Sequence, residues 1–475
     1  MRPLRFAAVV ATVLLFSSSR SFAQDHYFHP QSMRTAEADS APTAPVRPCE
    51  TYFFDRTLND FGSPACYGPQ AVRTAYGLNS LIEQGFTGKG QTIVILNAFG
   101  SPTALADLQA FDAAFGIPDP PSFNVVTMPG TPAFDVNDSN QLMWAQETSL
   151  DVQWAHAMAP GAKIVLVAAA SNSDKNLLAG LNYAIDNRLG QVISISFGES
   201  ETFLNNPDGL LIVRAWERAF TRARDRDITV FAAAGDLGST NLADEFGDIL
   251  PAQNASYPAS SPNVTAVGGT NLQFGVNGHA DPNGTYLGET AWNDAPQGIM
   301  FAGGGGVSAI FSRPIYQALL PASTRQTLHM QRGIPDVSFN AGVVGGVLVY
   351  LGFLGQPQFF IMGGTSAGAA QWAGVIADIN QAAGRSLGFL NGYLYSLGAL
   401  GMWQREQGLS GATGRLFHDI TVGDNGYCGS DVDFNFICIP GFNAAKGWDL
   451  ATGWGTPNLG VVAALFDFAR GRAGQ

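Results

Sequence analysis

Short, almost wholly apolar runs recur along this chain, and helix-patterned stretches separate them. QTIVILNA (91–98), KIVLVAA (163–169), VISISF (192–197) and ITVFAAAG (228–235) are strand-length and rich in β-branched residues. Between them lie LADLQAFDAAF (105–115), NLLAGLNYAIDN (176–187) and DGLLIVRAWERAFTRARDR (208–226), whose apolar residues fall at helical spacing. A strand apolar on both faces must be covered on both faces. The pattern therefore predicts an α/β fold, with a doubly wound, mostly parallel sheet and helices on both sides.

After Ala233 the texture becomes strand-rich, with VTAVGGT, VLVYL and FFIMGG, until a helix begins near Ala367 and runs to Ala382. A loop-heavy segment follows from Gly401 to Pro457, and a short helix ends the chain. The whole reads as one domain over residues 65–475. Its 56 Gly and 26 Pro sit beside 46% hydrophobic residues without a collagen period, which excludes collagen and wholesale disorder. A net charge of −13 argues against a nucleic-acid partner.

Residues 1–23 read as a secretory signal. Arg2 and Arg5 precede an apolar core from Phe6 to Phe16, and Ser21-Phe22-Ala23 supplies a small-x-small cleavage site. That core falls short of the roughly 18 apolar residues a membrane span needs. The expectation is a secreted protein, extracellular or periplasmic, with no stable membrane association once the signal is removed. Residues 24–64 are polar and Pro-containing and read as a linker or loosely attached arm. Four cysteines allow three pairings; proximity favours Cys49–Cys66 and Cys428–Cys438, with free buried thiols as the alternative.

FIMGGTSAGAAQWAGVIADI (360–379) places Ser366 where a strand turns through glycine into a helix. Such a serine exposes its hydroxyl beside the free N–H groups of a helix start, which suits a nucleophile and equally a plain N-cap. Gly364-Thr365-Ser366-Ala367-Gly368 also satisfies the G-x-S-x-G pattern, in which a histidine would follow the serine, and His418 is the candidate. His156 reads as a core histidine.

WAQETSLDVQWAHAMAPGAKI (144–164) carries Glu147 and Asp151 four apart on one helical face, near Trp144 and Trp154. Burial beside tryptophans would raise one or both carboxyl pKa values, whereas a solvated pair would be unremarkable. In AAAGDLGST (232–240), Asp236 follows a buried strand in a small-residue turn, at the sheet edge where α/β folds bind ligands; an Asx-turn is the other reading.

Together E-T-S-L-D-V-Q-W-A-H-A-M-A-P-G-A, A-A-G-D-L-G, G-G-G-G-V-S (303–308) and G-G-T-S-A resemble the sedolisin family, in order and over roughly residues 65–468. The resemblance implies a subtilisin-like fold and a serine-carboxyl peptidase. It makes Ser366 the nucleophile, Glu147 the general base, Asp151 the residue that holds Glu147 and shares its proton, and Asp236 the oxyanion-hole donor. It also assigns the VISISFG strand end (192–198) and the GGGGVS segment to the substrate cleft, where extended peptide would pair. A carboxyl donor works only while protonated, so such a machine favours acid.

FHDITVGDNG (417–426) and NAAKGWDLATGWGTPN (443–458) resemble the family's calcium site, which implies one structural Ca²⁺. Its ligands would be the Asp419 and Asp449 carboxylates and the carbonyls of Ile420, Ala445 and Gly447. Two departures stand out: Ala370 where the family usually has proline, and a short arm where relatives carry a long pro-region. The expected activity is an acid endopeptidase acting on polypeptides, and the expected state is a monomer. The alternatives are a serine esterase using Ser366 and His418, and a catalytically silent, calcium-stabilised peptide-binding module.

Overall fold

The apolar runs become neighbouring strands of one sheet. The computed structural model describes residues 26–37, 66–243, 247–274, 285–409 and 416–473; the signal segment, Cys49 and most of the 24–64 arm lie outside them. The sheet contains β1 (Thr92–Ala98), β2 (Phe123–Thr127), β3 (Lys163–Ala169), β4 (Val192–Ile195), β5 (Thr229–Ala233), β6 (Thr265–Phe274), β7 (Tyr286–Ala291) and β8 (Val337–Asn340). Their order is β7-β6-β5-β4-β1-β3-β2, with β8 beside β6. Every pairing is parallel except β6 with β7.

Side chains alternate across β1, and each set enters a different core. Ile93 and Ile95 pack with Phe111, Trp154 and Trp372, from α1 (Ala104–Phe115), α2 (Ser139–Met158) and α5 (Thr365–Ala383). Val94 and Leu96 pack with Leu181, Trp216 and Phe220, from α3 (Asp174–Asp186) and α4 (Gly209–Asp225). The doubly wound, subtilisin-like architecture is therefore present.

α2 begins at Asp138, whose carboxylate accepts the N–H groups of Asn140 and Gln141. From Trp144 onward nearly every residue is buried. The reason is a second layer: a hairpin of Gly346–Leu351 and Gln358–Gly363 lies over the helix. Trp154 Nε1 donates to the Leu348 carbonyl at 2.9 Å, and the Gln153 amide donates to the Tyr350 carbonyl at 2.8 Å. α5 crosses α2 at Gly374, where a Cβ would lie 2.5 Å from the Met158 Cβ. Carboxylates on the middle turns of α2 are thus walled in.

Three elements differ from expectation. β2, FNVVT, is an additional short edge strand with little burial, not singled out from the sequence. The segment read as loop-heavy from Gly401 begins inside a helix, Asn391–Glu406. Residues 26–37 are not a loose arm. Phe28 is fully buried against Phe197 and Trp216, with ring centroids 5.3 Å apart in both pairs. His29–Pro30 pairs antiparallel with Phe197–Ser200, and Met33–Glu37 pairs with Gln358–Gly363. One aromatic side chain and two open strand edges hold a segment too short and polar to announce itself.

Cys428 and Cys438 form a disulfide as a facing pair in the hairpin of Tyr427–Ser430 and Phe436–Ile439. Cys66 is also disulfide-bonded. No helix among the described residues is long and apolar enough to cross a membrane.

Candidate active site

β3 and β4 flank β1, so the chain winds to β2 and β3 on one side of it and then crosses to continue from β4 on the other. Polar residues end strands that are otherwise apolar: Asn97 in β1, Ser196 just beyond β4, and Asp236 shortly after β5. This carboxyl edge at a change of winding direction is where α/β sheets place ligands.

Ser366 arrives from the opposite direction. The Gln358–Gly363 strand turns at Gly364, whose φ of 131° no L side chain readily adopts, and α5 starts at Thr365. Ser366 is buried and its hydroxyl donates to the Ser196 carbonyl at 3.3 Å. Ala370, at the family's proline position, lies inside an unbroken helix.

Glu147 and Asp151 are both fully buried. Asp151 is held at both oxygens, accepting from Asn97 Nδ2 at 2.9 Å and from Ser196 Oγ at 2.7 Å. Burial nevertheless pushes its carboxyl up to about 7, with those two donors offsetting part of the rise. Glu147 stands well above the ordinary glutamate range, chiefly through burial and then through the adjacent Asp151 charge. The Ser32 and Ser366 hydroxyls pull it partly back. Ser32 Oγ donates to Glu147 Oε2, while Oε1 has no hydrogen-bond partner.

Asp236 completes the group. Its Oδ1 accepts the Thr365 backbone N–H and hydroxyl, each at 2.8 Å. Its Oδ2 is buried without a partner, 2.6 Å from where a Cβ on Gly364 would stand. Burial pushes this carboxyl to about 7 as well, against the Thr365 donors. The Asp236 turn is braced by the GGGG run. Gly304 N–H donates to the Gly235 carbonyl at 2.6 Å, and a Cβ on Gly304 would overlap the Ala234 backbone.

The structure thus brings Ser366, Glu147, Asp151 and Asp236 together. Asn97 and Ser196 were not singled out from the sequence; a polar residue closing an apolar strand was their only signal. His418 is elsewhere, stacked on Tyr286 with centroids 3.8 Å apart, and burial pushes its pKa down to about 4. His156 is a core residue, its Nε2 3.0 Å from the Pro118 carbonyl and 3.2 Å from Asp112.

In the C-terminal loops, Asp419 and Asp449 converge on residues 445–447. Gly447 N–H donates to Asp419 Oδ1 at 2.9 Å, and Ala445 N–H donates to Asp449 Oδ2 at 2.8 Å. Burial raises both carboxyls, Asp449 to about 7. The carbonyls of Ile420, Ala445 and Gly447 accept no hydrogen bond among the described residues. Two buried carboxylates beside three free carbonyls form an oxygen-only donor set, which fits a hard cation.

A parallel sheet of this winding, with a serine at a strand-to-helix turn, defines a subtilisin-like chain. The model of the subtilase family matches residues 132–391, more than half of the chain. Kumamolisin from Bacillus sp. (strain MN-32) is 34% identical over 401 residues, which cover 83% of this chain and 62% of kumamolisin. Sedolisin from Pseudomonas sp. (strain 101) is 30% identical over 409 residues, covering 85% of this chain and 62% of sedolisin. This chain therefore spans about three fifths of the length of those relatives (62%). The structure of Pseudomonas sedolisin, a serine-carboxyl proteinase complexed with pseudo-iodotyrostatin, superposes with a TM-score of 0.68 at 29% identity, over 86% of this chain and 99% of that one. The chain belongs to the sedolisin family, within the subtilase fold.

Proposed function

We propose that this chain is a secreted, acid-active serine-carboxyl endopeptidase. The observation that carries the proposal is the burial of Ser366 with Glu147, Asp151 and the unpartnered Oδ2 of Asp236, in a site whose described hydrogen bonds include no histidine.

The chemistry follows from where protons sit. Ionised Glu147 takes the Ser366 proton as the hydroxyl oxygen attacks a peptide carbonyl. Two carboxyls one helical turn apart in a buried site keep a proton between them more readily than two charges. Asp151, fixed by Asn97 and Ser196, therefore holds Glu147 in place and moderates its basicity. The developing oxyanion is met by the Ser366 backbone N–H and by the protonated Asp236 carboxyl, a donor only below about pH 7. Glu147 then returns its proton to the leaving amine, and water hydrolyses the acyl-enzyme through the same steps.

One Ca²⁺ is proposed at the C-terminal loops, held by Asp419, Asp449 and the carbonyls of Ile420, Ala445 and Gly447. When bound it would supply positive charge to a buried acidic pair and tie two loops together. Substrates are polypeptides in extended form, and the chain acts as a monomer.

Casein digestion from about pH 3 to about pH 8 tests the reading. Wild type is expected to be active in acid, Glu147→Gln and Ser366→Ala inactive, and His418→Ala active. Activity that survives Glu147→Gln but disappears in His418→Ala would overturn it.

A further inference from the structure

The glycine run Gly303–Gly306 braces the turn that carries Asp236, yet a run without side chains can brace a neighbour only if its own backbone is held. The bracing is direct. Ala302 N–H donates to the Asp236 carbonyl at 3.1 Å, and Gly238 N–H donates to the Ala302 carbonyl at 2.8 Å. Gly304 N–H donates to the Gly235 carbonyl at 2.6 Å. With the two Thr365 bonds to Oδ1, these contacts set where the Asp236 carboxyl lies.

Asn425 holds the run in turn. It is fully buried, and its Nδ2 donates to the Gly303 carbonyl at 3.0 Å across 122 residues of chain. Its Oδ1 accepts the Phe442 N–H at 2.7 Å. A carbonyl that needs a donor and an N–H that needs an acceptor together specify a primary amide and fix which way it faces. The Asn425 backbone is engaged as well. Its N–H donates to the Phe442 carbonyl at 3.2 Å, and its carbonyl accepts the Ser239 N–H at 2.9 Å. Asn425 therefore grips both the bracing run, at Gly303, and the Asp236 turn itself, at Ser239. The fit is close on both sides. A Cβ on Gly305 would stand 3.1 Å from Asn425 Nδ2, and one on Gly238 would overlap the Asn425 carbonyl.

We infer that Asn425 is a positioning residue for the oxyanion donor: its amide fixes Gly303, so that the glycine run keeps the Asp236 carboxyl aimed at the reacting carbonyl. The inference rests on the proposed peptidase function and adds to it a residue, outside the catalytic group, that governs rate without touching substrate. An oxyanion exists only in the transition state and its intermediates, so a misplaced donor lowers kcat and spares KM. Such a donor must be held to within about half an ångström, a tolerance that glycine backbone deprived of an anchor exceeds.

A double-mutant cycle on a peptide substrate tests this, with Tm measured on every variant. Asn425→Ala is expected to lower kcat about tenfold and to change KM less than about twofold. In an Asp236→Ala background the same substitution should cost less than about twofold, because the group it positions is gone. Gln253→Ala removes another tie to the same loop, a 2.8 Å bond to the Pro440 carbonyl, without reaching Gly303. It is expected to leave kcat unchanged. Asn425→Ser, whose hydroxyl stops one bond short of Nδ2, is read in the same cycle if the alanine variant does not fold. An undiminished loss in the Asp236→Ala background, an equal loss from Gln253→Ala, or wild-type kcat without the amide overturns the inference and leaves the peptidase reading standing. Absence of peptide hydrolysis by the wild type at any pH overturns both.

Discussion

Asp236 and Thr365 are joined twice through one oxygen, since Oδ1 accepts both the backbone N–H and the hydroxyl of Thr365 at 2.8 Å. The consequence falls on the other oxygen. Oδ2 is left buried without a partner in the candidate site, so a proton on the carboxyl is free to be donated to a ligand there.

Asp236→Asn separates donation from protonation. An amide donates at every pH, while the carboxyl, pushed up to about 7, ceases to donate as pH rises. The variant is expected to lose activity in acid by up to about a hundredfold through altered geometry, yet to decline less steeply on the alkaline side. The pH profile of kcat/KM on a peptide substrate measures both effects.

Stability should rise in acid. Asp151 and Asp236 have folded pKa values near 7 against an ordinary 3.8. A raised carboxyl binds its proton more tightly when folded, so its contribution is full below the unfolded value and is lost as pH rises through the folded one. The window is therefore between about 4 and about 7. Tm of the Ser366→Ala protein, which cannot digest itself, should climb by several degrees as pH falls from near neutral to near 4. With only 25 Lys and Arg, positive self-repulsion in acid stays small. A lower Tm in acid would contradict this.

Ser196→Ala removes a donor to Asp151 at 2.7 Å and leaves the carbonyl that receives Ser366 in place. Without that hydrogen bond the carboxyl pair ionises at higher pH. The acid limb of the activity profile should move upward, with kcat falling about tenfold and KM little changed.

Chelation should lower Tm and leave the catalytic group unaltered. At neutral pH, Asp419 and Asp449 face only partial compensation from Arg405, 3.4 Å from Asp419 Oδ2. Titrating calcium back should restore Tm by the mass-action increment, about 2.7 kcal/mol at a hundredfold excess over Kd. No response of Tm to calcium would remove the ion from the proposal.

Gly374→Leu tests the helix crossing that holds the carboxyl pair. A side chain there starts 2.5 Å from the Met158 Cβ, so α2 and α5 must separate. A loss of about 1–3 kcal/mol in urea unfolding is expected, with activity falling further than stability because Glu147 and Ser366 are carried on those two helices.

Much of this was legible in the sequence, for local reasons. The apolar runs of β1, β3, β4 and β5 specify strands covered on both faces, and the glycine turn before Ser366 specifies a strand-to-helix junction. Glu147 and Asp151 share a face because four residues are about one helical turn. β2 escaped notice because FNVVT is an edge strand with little burial, and the Phe28 arm because a single aromatic side chain anchors it.

The sequence by itself singled out Ser366, Glu147, Asp151 and Asp236 as candidates, because backbone periodicity and turn chemistry act over a few neighbouring positions. Only the tertiary structure decided their state. Asn97 and Ser196 reach Asp151 across 54 and 45 residues of chain, and packing of α2 among the sheet, α5 and the hairpin leaves both candidate carboxyls buried. Desolvation and hydrogen bonding between distant strand ends set the pKa values, and those contacts exist only after the layers have closed.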